Sequence, residues 1–173
     1  MTSNLLYLGI ISGVVPGKAR PRVTKRGTFM PPAYQRWQRS AQAALRSSMS
    51  RRAPFLEPLG CRLVVVLPAP KKRPSRGSAH RQLWRAPGGE PFPWIGTRGD
   101  ADNIAGSVLD ALTGAGVIED DRLVGELMVQ LMASHRAEDI GASIALYRLA
   151  TCPLGRLHRV PAPQQTPHAV GQR

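Results

Sequence analysis

The chain has 173 residues, which is enough for one domain with a hydrophobic core and short for two. Although 42% of its residues are hydrophobic, no apolar run approaches the ~20 residues that a membrane-spanning helix needs. The net charge of +13 indicates an anionic partner. Nucleic acid is favoured over an anionic membrane, because no single amphipathic helix concentrates the basic residues.

The charge is distributed unevenly along the chain. Residues 1–99 contain 18 basic and 2 acidic residues, whereas residues 100–126 contain seven acidic residues and one basic residue, Arg122. A basic body with one concentrated acidic segment is the layout expected of an enzyme that binds a polyanion and cleaves it with a metal ion. A purely solubilising role for the charge is the weaker alternative.

The N-terminal part of the chain predicts a strand followed by a basic extended segment. The apolar residues 5–15 alternate as in a strand, and the absence of a basic region before them favours a cytoplasmic protein without a signal peptide. Residues 18–27 are basic, and Pro21 favours an extended conformation at the residue before it. We expect this segment to contact DNA phosphates through Lys18, Arg20 and Arg22.

A helix and a central strand are predicted next. Apolar residues recur at helical spacing after Pro32, a favourable helix-entry residue. The opposite face carries Arg36, Arg39 and Arg46, for which a solvated surface is favoured over DNA contact. The continuous apolar run at residues 63–67 predicts a central strand over residues 60–67.

A long basic loop is predicted between that strand and the acidic segment. Residues 71–73 are Lys71, Lys72 and Arg73, and we expect them to track DNA backbones together with Arg98. Residues 74–99 form an unusually long loop, which is typical of functional or disordered segments. Its two tryptophans, Trp84 and Trp94, are more consistent with packing than with base stacking.

The remaining elements are one helix and two strands. Asp102 or Asn103 is predicted to cap a helix that Gly114 and Gly116 terminate, and strands are predicted at 123–132 and 140–150. The predicted fold is therefore α+β, a single small domain in which two main helices pack on a mixed β-sheet. Residues 1–152 form the domain, and the Pro-, Gln- and His-rich residues 153–173 are expected to be a disordered tail.

The acidic segment is a candidate magnesium site. Mg²⁺ binds oxygen ligands and takes only one or two carboxylates directly. Asp100 and Asp102 can point to the same side of an extended segment, and Asp120 and Asp121 follow the helix that comes next. On spacing alone these residues could equally be ordinary capping and turn residues. Asp110 is interpreted as a structural hydrogen-bonding acid, with a supporting role at the metal site as the alternative.

Other site chemistries lack support in the sequence. Cys61 and Cys152 lie far apart without a nearby histidine pair, so zinc binding is disfavoured and incidental thiols in a reducing compartment are expected. The four histidines have no ligand spacing, and neither a nucleophile elbow nor a Walker-type phosphate loop is present.

Three short motifs occur in a fixed order along the chain. They are GKARPR at residues 17–22, DADN at 100–103 with LDAL at 109–112, and EDDRLV at 119–124. Together they resemble the RusA family of Holliday-junction resolvases, over roughly residues 5–150.

The resemblance implies a homodimeric, RusA-like α+β endonuclease from a bacterium or prophage. It would act in DNA recombination and repair by binding four-way DNA junctions and nicking two strands symmetrically with Mg²⁺, or alternatively Mn²⁺. The resemblance assigns catalysis and metal binding to Asp100, Asp102 and Asp121. Asn103, Asp110 and Asp120 are candidates for supporting roles around the metal.

One departure from the family pattern concerns position 106. The family commonly has a lysine four residues after the second aspartate, and this chain has Gly106. Candidate replacements for the missing charge are Arg98, Lys71, Lys72 and Arg122. The alternative is a protein that binds branched DNA with weak or no nuclease activity, and a basic RNA-associated structural protein is the least favoured hypothesis.

Overall fold

The described part of the computed structural model consists of residues 4–25, 27–49, 53–69, 92–93 and 100–149. It contains two main helices and seven strands. In chain order these are β1 (Leu5–Ser12), β2 (Arg22–Thr24), β3 (Gly27–Phe29), α1 (Pro32–Ser47), β4 (Leu59–Pro68), β5 (Phe92–Pro93), α2 (Ala101–Gly114), β6 (Val124–Ser134) and β7 (Gly141–Arg148).

The main sheet is mixed, with strand order β1-β7-β4-β6-β5. Strand β4 lies in the middle, where Leu63 pairs with Ile144 of the antiparallel β7 and with Val129 of the parallel β6. The continuous apolar run at residues 63–67 fits this position, because Leu63, Val65 and Leu67 are buried in the core and Val64 and Val66 are half-buried on the other face. The prediction of a central strand is therefore confirmed, as is the α+β fold with a mixed sheet.

Both helices contribute to one hydrophobic core on one face of the sheet. The core joins alternate residues of β1, β4 and β7 to the apolar stripes of α1 and α2; its largest fully buried side chains include Leu45, Leu63, Ile104, Leu112, Ile144 and Leu146. Burial of each such side chain contributes roughly 1.5–3 kcal/mol relative to an exposed one. The opposite face of the sheet is open, and Leu8 and Ile10 are 61% and 68% exposed there.

Helix α1 is attached to its neighbours by side-chain hydrogen bonds as well as by packing. The buried Tyr7 hydroxyl of β1 donates to the Leu45 carbonyl at 3.0 Å. Arg46 donates from Nε to the Ala115 carbonyl and from Nη2 to the Gly114 carbonyl, at 3.3 and 3.2 Å. A cation at this position offsets the partial negative charge of the α2 C-terminus. The sequence had suggested that Arg46 belongs to a purely solvated face. In the structure Arg46 is instead a capping residue of α2.

Helix α2 begins earlier than the sequence predicted. Asp100 is its N-cap residue, and Asp102 lies in the first helical turn. The predicted cap at Asp102 or Asn103 is therefore wrong. The end of the helix matches the prediction, because Gly116 adopts a left-handed φ of 71° and its N–H donates to the Thr113 carbonyl at 2.9 Å.

Several sequence predictions concern residues outside the described part of the chain. These are the basic loop with Lys71, Lys72, Arg73 and Arg98, the tryptophans Trp84 and Trp94, Cys152, and the tail at 153–173. Cys61 belongs to the described part of the chain and is fully buried on β4. Burial raises the pKa of its thiol to about 11. Among the described helices, none combines the length and apolar character needed to cross a membrane.

Candidate functional site

A polar groove of about 480 Å³ lies where α1 and α2 meet the turn that precedes β6. Three carboxylates line it, and they come from two different parts of the acidic segment. The lining residues are Met30, Tyr34, Gln38, Gln42, Asp110, Thr113, Gly114, Asp120 and Asp121. The fold therefore brings part of the predicted acidic cluster together, on a face that also receives residues from α1.

Asp120 is the most tightly held of these carboxylates. It caps a short 3-10 helix at Asp121–Leu123, accepting from the Arg122 backbone N–H at 2.8 Å. The Arg122 side chain donates to both carboxylate oxygens, from Nε at 2.9 Å and from Nη2 at 2.7 Å. These hydrogen bonds lower the pKa of Asp120 well below its ordinary value. The arrangement fixes the turn and leaves Asp121, the next residue, exposed at the groove.

Asp110 is held from two sides. Its Oδ1 accepts from Lys18 Nζ at 3.0 Å, and its Oδ2 accepts from the Tyr34 hydroxyl at 3.4 Å. The Tyr34 hydroxyl also lies 3.3 Å from the buried Ser107 hydroxyl. Asp110 thus links the N-terminal segment, α1 and α2 through hydrogen bonds in this structure.

Lys18 lies along the exposed face of α2. Its backbone N–H donates to the Asn103 carbonyl at 2.9 Å, and its side chain crosses above Gly106 before reaching Asp110. A Cβ added to Gly106 would lie 3.2 Å from Lys18 Cδ. The hydrogen bond with Asp110 raises the pKa of Lys18, and the charge of Asp121 raises it further. The sequence assigned Lys18 to DNA backbone contact and did not predict this position.

Asp100 and Asp102 lie at the other end of the same helix. Both are exposed. Eight residues separate Asp102 from Asp110, which corresponds to about 12 Å along the helix axis. Within the described ranges, no three Asp, Glu, His or Cys side chains are close enough together to hold one metal ion. Asp100, Asp102 and Asp121 are therefore not assembled around a common point, and the argument that the first two share one side of an extended segment is wrong, because Asp102 is helical.

The donor set nevertheless fits magnesium chemically. The candidate ligands are all carboxylates, they are solvent-accessible, and Mg²⁺ uses only one or two carboxylates while water and phosphate complete its coordination. A preassembled cage of three carboxylates is therefore not a requirement for this ion. Because the candidate carboxylates are exposed, they are accessible both to the ion and to a phosphate that would share it.

The remaining predicted site residues divide into two groups. Arg20 and Arg22 are exposed on the segment that enters the β2–β3 hairpin, beside Lys18. Lys71, Lys72, Arg73 and Arg98 lie outside the described residues. The helical spacing of apolar residues after Pro32 predicts an apolar face of α1 that includes Tyr34, and Tyr34 is buried. Its hydroxyl contact with Asp110 was missed, since helical periodicity carries no information about the partner of a polar tip.

Comparison with known proteins places the chain in a family. The family model described as Endodeoxyribonuclease RusA matches residues 13–145, which is well over half of the chain. No curated protein matches the sequence. The matched region contains the Lys18 segment, both ends of α2 and the turn at Asp120 and Asp121. This chain therefore belongs to the RusA endodeoxyribonuclease family.

Proposed function

We propose that this protein is a magnesium-dependent endodeoxyribonuclease that resolves four-way DNA junctions by paired, symmetric nicks. The observation that carries the proposal is the family match over residues 13–145, which spans the basic N-terminal segment and every acidic residue of the groove. The reaction is hydrolysis of a phosphodiester bond. The family name supports DNA as the substrate, and the net charge of +13 supports binding to it.

Asp100, Asp102 and Asp121 are the proposed metal-binding and catalytic residues. All three are exposed carboxylates, and Asp121 differs from its neighbour Asp120, which is held by Arg122. When bound, Mg²⁺ supplies an activated water and neutralises negative charge on the phosphate. Asp120 has the supporting role of fixing the turn that presents Asp121, and Asp110 and Asn103 position the segment that contains Lys18.

The exposed arginines of the N-terminal segment suit the DNA backbone. Arg20 and Arg22 project from the segment that leads into the β2–β3 hairpin, directly after Lys18. Contacts of arginine with phosphate supply affinity and orientation but little sequence information. We therefore propose recognition of junction shape, with Lys71, Lys72, Arg73 and Arg98 as additional backbone contacts.

Paired nicks require two sites related by symmetry, and a homodimer with a two-fold axis provides them on a pseudo-symmetric junction. The open face of the sheet supports a dimer, because Leu8 and Ile10 form an exposed apolar surface at the sheet edge strand β1. Each protomer would contribute one groove.

Substitution of single carboxylates tests the site assignment. We expect Asp102→Asn and Asp121→Asn each to abolish magnesium-dependent cutting of a four-way junction, while junction affinity stays the same or increases because a negative charge near phosphate is removed. The matched control is Glu138→Gln. Glu138 is an exposed acid that follows the C-terminal end of β6, whereas Asp121 precedes its N-terminal end, so the two are roughly 30 Å apart along the strand.

The assay is cleavage of an end-labelled junction alongside binding of the same junction in the absence of metal. A wild-type cutting rate in Asp102→Asn would contradict the assignment of Asp102. Loss of cutting in Glu138→Gln would show that replacing an acid far from the site also stops cutting, so that the loss is not specific to the proposed metal ligands. Loss of binding in the two aspartate variants would contradict a role confined to chemistry.

A further inference from the structure

The structure points to a residue that supplies positive charge at the candidate site. We propose that Lys18, lying across Gly106, places its ammonium against the phosphate that is cleaved and stabilises the charge that develops there. This inference rests on the proposed nuclease function and adds a catalytic residue to it. It also gives Gly106 a physical role, as the gap that Lys18 occupies.

The geometry of α2 makes this position available. Asn103, Gly106 and Asp110 lie on one face of the helix, at i, i+3 and i+7. Gly106 has no side chain, and Lys18 Cδ lies 3.2 Å and Cβ 3.9 Å from where its Cβ would be. The Lys18 side chain therefore fills the space that a side chain at position 106 would take.

The main chain fixes Lys18 in place without help from its charge. Its N–H donates to the Asn103 carbonyl at 2.9 Å, and the preceding Gly17 lies against the same residue, since a Cβ on Gly17 would be 3.7 Å from Asn103 Cβ. A side chain at position 106 would meet the stem of Lys18, because Lys18 Cδ lies 3.2 Å from the position of the added Cβ. Backbone anchoring and the gap at Gly106 together set where the lysine stem runs.

The ammonium reaches the acidic groove and stays accessible. Lys18 Nζ is 3.0 Å from Asp110 Oδ1, and 49% of the side chain remains exposed. Asp110 is itself held by the Tyr34 hydroxyl, so the anion that positions the ammonium is fixed by a second element. A positioned cation at the edge of the groove offsets the repulsion between the carboxylates and an incoming phosphate.

Arg122 does not fill this role. Both oxygens of Asp120, which lines the groove, accept hydrogen bonds from the Arg122 side chain. That side chain is 87% exposed and belongs to the turn. Among the described residues, Lys18 has a single carboxylate oxygen as its ion-pair partner, and we assign other N–H groups of the ammonium to phosphate oxygens.

Lys18→Met is the direct test, because methionine keeps an unbranched stem above Gly106 and removes the charge. We expect kcat for junction cutting to fall by about 10²–10³-fold, the range measured for loss of one transition-state hydrogen-bond donor. We expect KM and metal-free junction affinity to change by no more than about threefold, because a single backbone contact contributes little to total binding. Lys25→Met, an exposed lysine of the same basic segment, is the matched control and is expected to leave kcat unchanged.

A second variant separates charge from packing. In Lys18→Ala combined with Gly106→Lys, the stem above position 106 is removed and the ammonium is supplied from α2 into that space, and we expect at least a tenfold recovery of kcat over Lys18→Ala alone. A lysine with only a structural role would not be rescued in this way. The thermal unfolding midpoint of each variant is measured alongside, so that a change in kcat is separated from a loss of folded protein.

The outcomes distinguish this inference from the proposed function. Wild-type kcat in Lys18→Met, or no recovery in the double variant, would overturn the role of Lys18 while leaving the nuclease function standing. A loss of kcat as large in Lys25→Met would also overturn it. Absence of magnesium-dependent cutting by the wild-type protein would overturn the proposed function and this inference with it.

Discussion

At the scale of single residues, the acids of the site differ in the cation that each contacts. Asp120 is paired with Arg122 at 2.7 Å and fixes a turn, whereas Asp110 is paired with Lys18 at 3.0 Å and holds an ammonium in the groove. Asp100, Asp102 and Asp121 are exposed and remain available for a metal ion. Acids adjacent in sequence thus acquire different roles, and the sequence alone does not distinguish Asp120 from Asp121.

Replacement of Arg122 tests this division. Hydrogen bonds from Arg122 lower the pKa of Asp120, so Arg122→Ala is expected to return that pKa towards the ordinary aspartate value of about 3.9. Because the folded-state pKa is depressed, the stabilising effect of the pair is present above the unfolded pKa and is lost as pH falls through the folded one. Carboxyl NMR titration of the wild type and of Arg122→Ala measures the pKa of Asp120. An identical Asp120 titration in the two proteins would contradict the role given to Arg122.

At the scale of elements, helix α2 is the part of the fold that organises the site. Its N-terminal turn contains Asp102, its middle supplies the gap at Gly106, and the turn that follows its C-terminus leads to Asp121. The C-terminus closes with Gly116 in a left-handed conformation and with the Val117 N–H donating to the Leu112 carbonyl at 3.0 Å. This geometry is what reverses the chain towards the groove.

The same substitution at two glycines of this region is expected to have opposite effects. Gly116→Ala should lower the free energy of unfolding by about 1 kcal/mol, because φ is 71° there and nothing within 4 Å of the added Cβ compensates. Gly106→Ala should raise it by up to ~1 kcal/mol through helix propensity, because Lys18 Cδ, 3.2 Å away, belongs to a half-exposed side chain that can shift. Chemical denaturation measures both, and a stabilising Gly116→Ala would contradict the backbone argument.

Local patterns in the sequence predicted the elements but not the contacts between them. Strands β1 and β4 follow from alternating and continuous apolar residues, and the end of α2 follows from Gly114 and Gly116. The start of α2 was misplaced because Asp100, Asp102 and Asn103 are all residue types that cap helices. The Lys18–Asp110 ion pair joins residues 92 positions apart, so it depends on the tertiary fold and has no local signature.

At the scale of the whole molecule, a chain with a net charge of +13 contains a groove that is lined by three carboxylates. The basic residues supply long-range attraction to DNA, and the acidic groove repels phosphate unless a cation is present. Binding and cutting are therefore expected to depend on different residues and to respond differently to salt and to Mg²⁺.

Salt dependence of junction binding tests the role of the exposed arginines. Arg22→Ala is expected to weaken metal-free binding and to reduce the slope of log affinity against log salt by about one, as for loss of one phosphate contact. Arg148→Ala is the matched control, because Arg148 is already paired with Glu57 at 3.2 Å and is expected to leave the slope unchanged. An unchanged slope in Arg22→Ala would show that Arg22 does not contact a DNA phosphate.

The most direct measurement is incubation of the wild-type protein with a synthetic, end-labelled four-way junction, with and without Mg²⁺, beside a linear duplex of matching sequence. We expect paired, symmetric nicks that require Mg²⁺ and are absent from the duplex. Tight junction binding without any magnesium-dependent product would contradict the nuclease function and favour a branched-DNA-binding protein, and equal cutting of the duplex would contradict selectivity for junctions.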